Sequence, residues 1–385
     1  MSLKRSIYLD YQASTPLDPR VKKAMAPYMD DLFANPHANT YLAGIDAGNA
    51  VRDARRKVAS SIGVTPASII FTSGATEANN LAIFGVARAA SPKRKKVITL
   101  ASEHKSVLEP VLALRRERFE VLVLPVGRSG LVDLEKLKEA VGRTTLLVSV
   151  MHVNNETGVV QPLADIARIC RKAGALFHSD CAQTLGRLPL RVPKIGADLV
   201  TLSSHKCCGP KGIGALYVRR EPRVPIEPIL LGGGQERGLR SGTLPVPLCV
   251  GFGEACRIAK DDIKKDMKRI SKLEGLLIEG IRQAHPGVQF NGSEDSRAPG
   301  SFSIRLDGAL SEQYLYAFEP LQISTGSACA STDTRISSVL RAYGLSKVQA
   351  ICSLRFGIGR FTTEEEIRTA VSIINKGTKR LGVGR

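Results

Sequence analysis

Apolar β-rich runs that alternate with helical patterns along most of the 385 residues predict an α/β fold with a mostly parallel sheet. Two observations carry that expectation. Seven short runs are rich in Val, Ile, Leu and Phe, at 68–71, 97–100, 120–126, 146–153, 175–179, 199–203 and 214–219. They are nearly continuous in apolar character rather than alternating, which marks strands buried on both faces of one seven-stranded sheet. Helix-like stretches fall between many of them, near 77–89, 106–118, 133–141 and 162–173. Start signals support these helices: Asp133 stands ahead of Leu134, and Pro162 sits where a first turn would begin.

The texture changes from about Gly253. A long charged helix is expected near 262–284, then a short strand at 300–305 and helices near 311–318, 334–343 and 363–378. The chain therefore divides into a large domain at 15–255 and a smaller α/β domain formed by 1–14 with 256–385. Neither internal repeats nor low-complexity segments interrupt it.

Lys and Arg outnumber Asp and Glu by 55 to 36, a formal net charge of +19. That excess favours acidic partners, nucleic acid or an acidic protein, although no basic stretch is interleaved with aromatics. The densest run, Lys93, Arg94, Lys95 and Lys96, reads as a solvated loop entering a strand. Residues 1–11 lack an apolar core of signal-peptide length, and no stretch approaches a membrane span. A cytoplasmic location with free thiols is the expectation. The eight cysteines are scattered without a CxxC pair, so no metal site is expected, and Cys207 and Cys208 read as small packing residues.

Ligands of open α/β sheets collect at the carboxyl ends of the strands. After the first run comes TSGATE at 72–77: strand, glycine turn, helix start. The N–H groups of Ala75 and Thr76 would open a helix N-terminus, a ready anion site. Neither a GxGxxG fingerprint nor the Lys-bearing nucleotide loop is present. Asp180 follows the fifth run; a buried carboxylate there needs a cationic or hydrogen-bonding partner, and a helix N-cap is an equally good reading of it alone. Lys206 follows the sixth run among small residues, where partial desolvation suits imine chemistry; alone it could equally snorkel to solvent. Together, in chain order on successive βα units, these residues supply a phosphate cradle, a partner for a pyridinium nitrogen and an imine-forming amine. Those are the three needs of pyridoxal 5′-phosphate.

At these motifs the sequence resembles the NifS/IscS-type cysteine desulfurases of the class-V aminotransferase group, which are fold-type-I pyridoxal-phosphate transferases. The resemblance runs from Tyr8 to about Leu381. It rests on TSGATE at 72–77, EHK at 103–105, HVNNE at 152–156, SHK at 204–206, GPKG at 209–212, RSGT at 240–243, RFG at 355–357 and GRF at 359–361.

The resemblance implies that Lys206 holds the cofactor as an imine and later shuttles protons. Asp180 would pair with the ring nitrogen, His104 would stack on the ring, and Gln183 would bond its hydroxyl. Asn155 would touch cofactor and substrate. Ala75, Thr76, Ser203 and His205 would hold the phosphate, with Thr243 reaching it from the second subunit of a homodimer. Arg355 would clamp the carboxylate of the substrate, L-cysteine, in a forked contact.

Position discriminates among the cysteines. Cys170, Cys249, Cys256 and Cys352 lie in helical or apolar contexts and read as small hydrophobes. Cys181 is fixed at a strand end. Cys329 lies in STGSACASTD at 324–333, a run of small residues that leaves a thiol accessible. In the family this motif carries a persulfide, and a loop of this length, about 324–334, marks the mobile-loop subgroup. The expected reaction removes sulfur from L-cysteine, leaving alanine and a persulfide on Cys329 for an acceptor protein in iron–sulfur assembly or nucleic-acid thiolation.

Cys181, Cys207 and Cys208 depart from the family pattern near the cofactor without removing a required group. The chain ends at Arg385, without the longer tail on which scaffold-dependent members dock an assembly protein. The alternatives are a selenocysteine lyase or another class-V enzyme, and, from a different class, a nucleic-acid-binding protein that kept only the fold.

Overall fold

A computed structural model describes residues 6–325 and 336–383. The first strand, β1 (Ile7–Tyr8), is short. The central sheet contains, among the described residues, β2 (Ile69–Thr72), β3 (Lys96–Leu100), β4 (Glu120–Leu124), β5 (Thr145–Ser149), β6 (Leu176–Asp180), β7 (Leu199–Ser203) and β8 (Gly214–Val218). Their spatial order is β2-β8-β7-β6-β5-β3-β4. Only β8 runs antiparallel to its neighbours, β2 and β7. The seven apolar runs of the sequence are these seven strands.

Side-chain alternation divides the strands between two cores. Ile69, Phe71, Ile98, Val148, Phe177 and Val200 face one, with Val58 and Ile62 of the helix Leu42–Ile62 and Phe252. Ile70, Val97, Leu147, Leu199 and Leu216 face the other, under the helices Ala75–Arg88 and Lys105–Ala113. Both faces are thus covered, which is why the strands lack a polar stripe.

Several boundaries differ from the sequence expectation. The fourth run is a regular strand only to Ser149, although Val150 N and His152 N still donate to the carbonyls of His178 and Asp180 and Val150, Met151 and Val153 remain buried. The third ends at Leu124, because Pro125 offers no N–H to a ladder. The helix expected at 106–118 is α-helical only over Lys105–Ala113; a 3₁₀ turn follows and closes at Arg118, whose φ is 61°. Pro162 occupies the N-cap of Leu163–Ala173 rather than its first turn. In the basic run only Lys93 is exposed. Arg94 donates to the carbonyls of Thr145 and Ala173, Lys95 lies 4.1 Å from the Phe119 ring centre, and Lys96 pairs with Glu120. The run therefore ties strand ends together rather than being simply solvated.

The long helix begins at Val246 rather than Asp262 and runs unbroken for 39 residues to Ala284, about 58 Å. Its first half, with Cys249, Phe252, Cys256 and Ala259, is packed in the core of the sheet. Its second half, with Ile270, Leu273, Leu277 and Ile281, belongs to a separate cluster. That cluster holds the antiparallel strands β9 (Gln289–Phe290), β10 (Ser301–Arg305) and β12 (Ser353–Gly357). Beside them β1 pairs in parallel with β11 (Leu321–Gln322), and Asp10 bridges to Gly357. The short helix Ser338–Ala342 leads to Tyr343, which, with Val339, is buried in the core of the central sheet.

Candidate active site

The carboxyl ends of the parallel strands open into one cavity of 1730 Å³, ample for a cofactor with a substrate. Ala75, Thr76, His104, Asn155, Asp180, Gln183, Ser203, His205, Lys206 and Arg355 all line it. Residues far apart in sequence meet there because all but Arg355 end or follow a strand of the central sheet or start the helix after one; Arg355 comes from β12 of the three-stranded sheet.

At β2, Gly74 turns the chain with φ 155°, a value that disfavours other residues, and the helix Ala75–Arg88 begins without a side-chain cap. Its first N–H groups and the positive end of its dipole are left for an anion. Glu77, in the same turn, accepts from Ser73 N and pairs with Arg240 at 2.8 Å.

A buried chain of hydrogen bonds runs from Asp180 to His104. Asn79 donates to Asp180 Oδ2 (2.7 Å) and to Ser106 Oγ (2.8 Å). Asp180 Oδ1 accepts from Ala182 N, so the N-cap-like turn contact and the buried polar network coexist. The Ser106 hydroxyl lies 2.7 Å from His104 Nδ1, which also accepts from Ser106 N. His104 is thereby the N-cap of Lys105–Ala113. With Nδ1 accepting, the proton of the neutral ring sits on Nε2. Burial lowers the His104 pKa, opposed by the charge of Asp180, so the ring is neutral near pH 7.

The Lys206 amine donates to the carbonyls of Gln12 and Ala13. Gln183 donates to the same Gln12 carbonyl, at 2.8 Å. His205 Nδ1 lies 3.2 Å from Ser14 Oγ, and burial pushes its pKa down to about 4. Arg355 donates from Nε and Nη2 to Asp10 Oδ1 (3.0 and 2.8 Å) and from Nη1 to the Asn155 carbonyl (3.2 Å).

Asp10, Gln12 and Asn79 are absent from the sequence reading. Asn79 alone had a local signal, a polar residue on the apolar helix face of Ala78, Leu81 and Ala82. Thr243 is exposed and does not line this cavity. Cys329 lies outside the described residues. The other seven cysteines are all buried. Burial raises the thiols of Cys170, Cys181 and Cys249 to about 12 and that of Cys208 to about 11. No grouping of three or more potential metal ligands occurs among the described residues.

Gln183 Oε1 and Asn155 Oδ1 are buried acceptors on the wall with no hydrogen-bond partner among the described residues. A polar ligand in the cavity removes that cost. Pyridoxal phosphate fits the donor set: helix N–H groups for its phosphate, the carboxylate of Asp180 for a protonated ring nitrogen, and the amine of Lys206 for its aldehyde.

The aminotransferase class-V family matches residues 7–369. A cysteine desulfurase IscS from Rickettsia bellii (strain OSU 85-389) is 50% identical over 368 residues, 96% of this chain and 90% of that protein. A solved NifS-like protein superposes with a TM-score of 0.89 at 34% identity, covering 96% of this chain and 98% of its own. A structure of SspA in complex with cysteine gives a TM-score of 0.82 at 35% identity, over 93% of this chain and all (100%) of that one. The chain belongs to the class-V aminotransferase family, in its NifS/IscS group of cysteine desulfurases.

Proposed function

We propose that this protein is a pyridoxal-phosphate-dependent cysteine desulfurase whose nucleophile is Cys329. The observation that carries the reading is the convergence of Lys206, Asp180, His104 and Arg355 on a single cavity. Bound there, the cofactor supplies an electron sink for the α-carbon of an amino acid. Arg355, steadied by Asp10, orients the substrate carboxylate, and Lys206 Nζ moves the α-proton. The thiolate of Cys329 attacks the sulfur of L-cysteine. The substrate C–S bond breaks, an S–S bond forms on Cys329, and the carbon skeleton gains a proton and leaves as alanine.

Two features support Cys329. The described cysteines are buried and, where shifted, hold their protons more tightly. The chain on either side of 326–335 meets the cavity: Ser324 pairs with Arg355 through both backbone hydrogen bonds, and Ile336 lines the wall. Cys329 is five residues beyond Ser324 in the sequence.

Met29, Phe33, Tyr41 and Leu42 are exposed. Such apolar surface fits a homodimer in which Thr243 completes the partner's phosphate site. The net charge of +19 fits an acidic acceptor protein or a thiolation factor. A cytoplasmic setting accords with unpaired thiols; no described helix is long and apolar enough to cross a membrane.

The test is Cys329→Ser. It should keep the cofactor's absorbance while sulfide release from cysteine with a reductant falls at least a hundredfold. Retained turnover would move the role to another thiol.

A further inference from the structure

The turn that follows β5 has a second connection besides Arg355. Asn154 Oδ1 accepts from Glu156 N (2.9 Å), Thr157 N (3.0 Å) and Thr157 Oγ1 (3.2 Å), while Asn154 Nδ2 donates to the Ser102 carbonyl (3.0 Å). The four residues 154–157 are therefore rigidly held. From this turn Glu156 Oε2 accepts from the Ser337 hydroxyl at 2.5 Å. Thr157 Oγ1 lies 2.9 Å from Tyr343 OH. Ser337 also caps Ser338–Ala342, accepting from Leu340 N at 3.1 Å. Tyr343 in turn sits so close to the Gly130 turn that a Cβ there would meet its ring at 2.2–2.4 Å.

These contacts grip both ends of that helix. They use groups with 5% (Glu156), 4% (Ser337), 0% (Thr157) and 1% (Tyr343) exposure. A surface helix needs no buried carboxyl to hold it. The same turn presents the Asn155 carbonyl to Arg355. One four-residue turn thus touches both the substrate clamp and the first described residues after Cys329.

We propose that Glu156 is a positioning residue for sulfur transfer, which, through Ser337, fixes the downstream end of the Cys329 segment to the same turn that steadies Arg355. The proposal rests on Cys329 being the nucleophile. Ser337 is eight residues beyond Cys329, and Ser324 is five residues before it. The upstream end is pinned by backbone pairing to Arg355 itself. The downstream end depends on the side-chain pair Glu156–Ser337. Glu156 also lines the cavity, whereas Ser337 does not, so Ser337→Ala separates the anchoring role from any effect on the substrate clamp.

The experiment uses the cofactor-loaded protein, with cysteine added in a single turnover. Two signals are followed: the change in cofactor absorbance, which reports substrate binding, and persulfide on Cys329 by quenched-flow mass spectrometry. For Glu156→Ala and Ser337→Ala, the absorbance change and its half-saturating cysteine concentration should stay within twofold of the unaltered protein. Persulfide should form about tenfold more slowly, the size of effect one strong hydrogen bond carries. Glu156→Gln keeps an acceptor for Ser337 and should recover most of the rate. The double variant should be no slower than the singles, since both remove one contact.

Unchanged persulfide formation in both single variants overturns the proposal. So does a rise in half-saturating cysteine with an unchanged persulfide rate, which would assign Glu156 to the substrate clamp. If Glu156→Ala fails to fold, Ser337→Ala decides alone. Absence of persulfide on Cys329 in the unaltered protein overturns the nucleophile assignment, and with it this one; its presence there with no effect of the variants overturns this one only.

Discussion

At the scale of single residues, the cavity depends on polar groups kept in defined protonation states by burial. Asn79 shows why a neutral amide matters: its two N–H donors satisfy Asp180 and Ser106 together. Asn79→Ala leaves Asp180 with one fewer donor and releases the Ser106–His104 pair. Cofactor retention, measured by titrating apoprotein with pyridoxal phosphate, should weaken about tenfold, in line with loss of a hydrogen bond to a charged group. His178 is the corresponding case in the sheet. It is wholly buried between Ser149 Oγ (2.8 Å) and Thr201 Oγ1 (3.1 Å), and burial pushes its pKa from 6.5 to about 4. The folded state thus binds fewer protons than the unfolded chain between those values. Its contribution to stability is complete above pH 6.5 and is lost as the pH falls toward 4. The full effect is about 3 kcal/mol. His178→Asn should lower the denaturation midpoint at neutral pH yet flatten its decline between pH 6.5 and 4.

At the scale of elements, one close helix contact is legible as a glycine. Gly253, in the buried half of Val246–Ala284, crosses the helix Leu42–Ile62 so closely that a Cβ would meet Ala54 Cα at 2.7 Å. The obstacle is backbone, which cannot swing aside. Gly253→Val should destabilise by about 1–3 kcal/mol, read as a lower urea midpoint with an unchanged slope. The burial of the same half explains why the helix begins earlier than its charge pattern predicts. From Val246 to Gly253 every residue is apolar, glycine or proline, with Cys249 and Phe252 in the sheet core, so no polar face marks the first two turns; charge appears only from Glu254, where one side meets water.

At the scale of the whole molecule, the exposed apolar residues and the charge point outward. Phe33 is 85% and Leu42 79% exposed, values at odds with an isolated surface. Sedimentation equilibrium should give about twice the chain mass of 41.5 kDa. Leu42→Glu should shift the population toward monomer and, because Thr243 would no longer reach the second cavity, weaken cofactor retention as well. A dimer that survives Leu42→Glu with Phe33→Glu would remove this face from the interface.

The sequence by itself determined the seven-stranded sheet and, by local pattern, a few of the groups that line its cavity. Interior strands of a parallel sheet must be apolar on both faces, and ligand groups must follow their carboxyl ends, so Lys206, Asp180 and Ala75 are visible in local pattern. Only the tertiary structure decided what holds them. Asn79 meets Asp180 across 101 residues, and Gln12 reaches Phe356 across 344. Such contacts leave no periodic trace, because a hydrogen bond between distant segments depends on where the packed elements bring their backbones, and not on the spacing of residues along the chain.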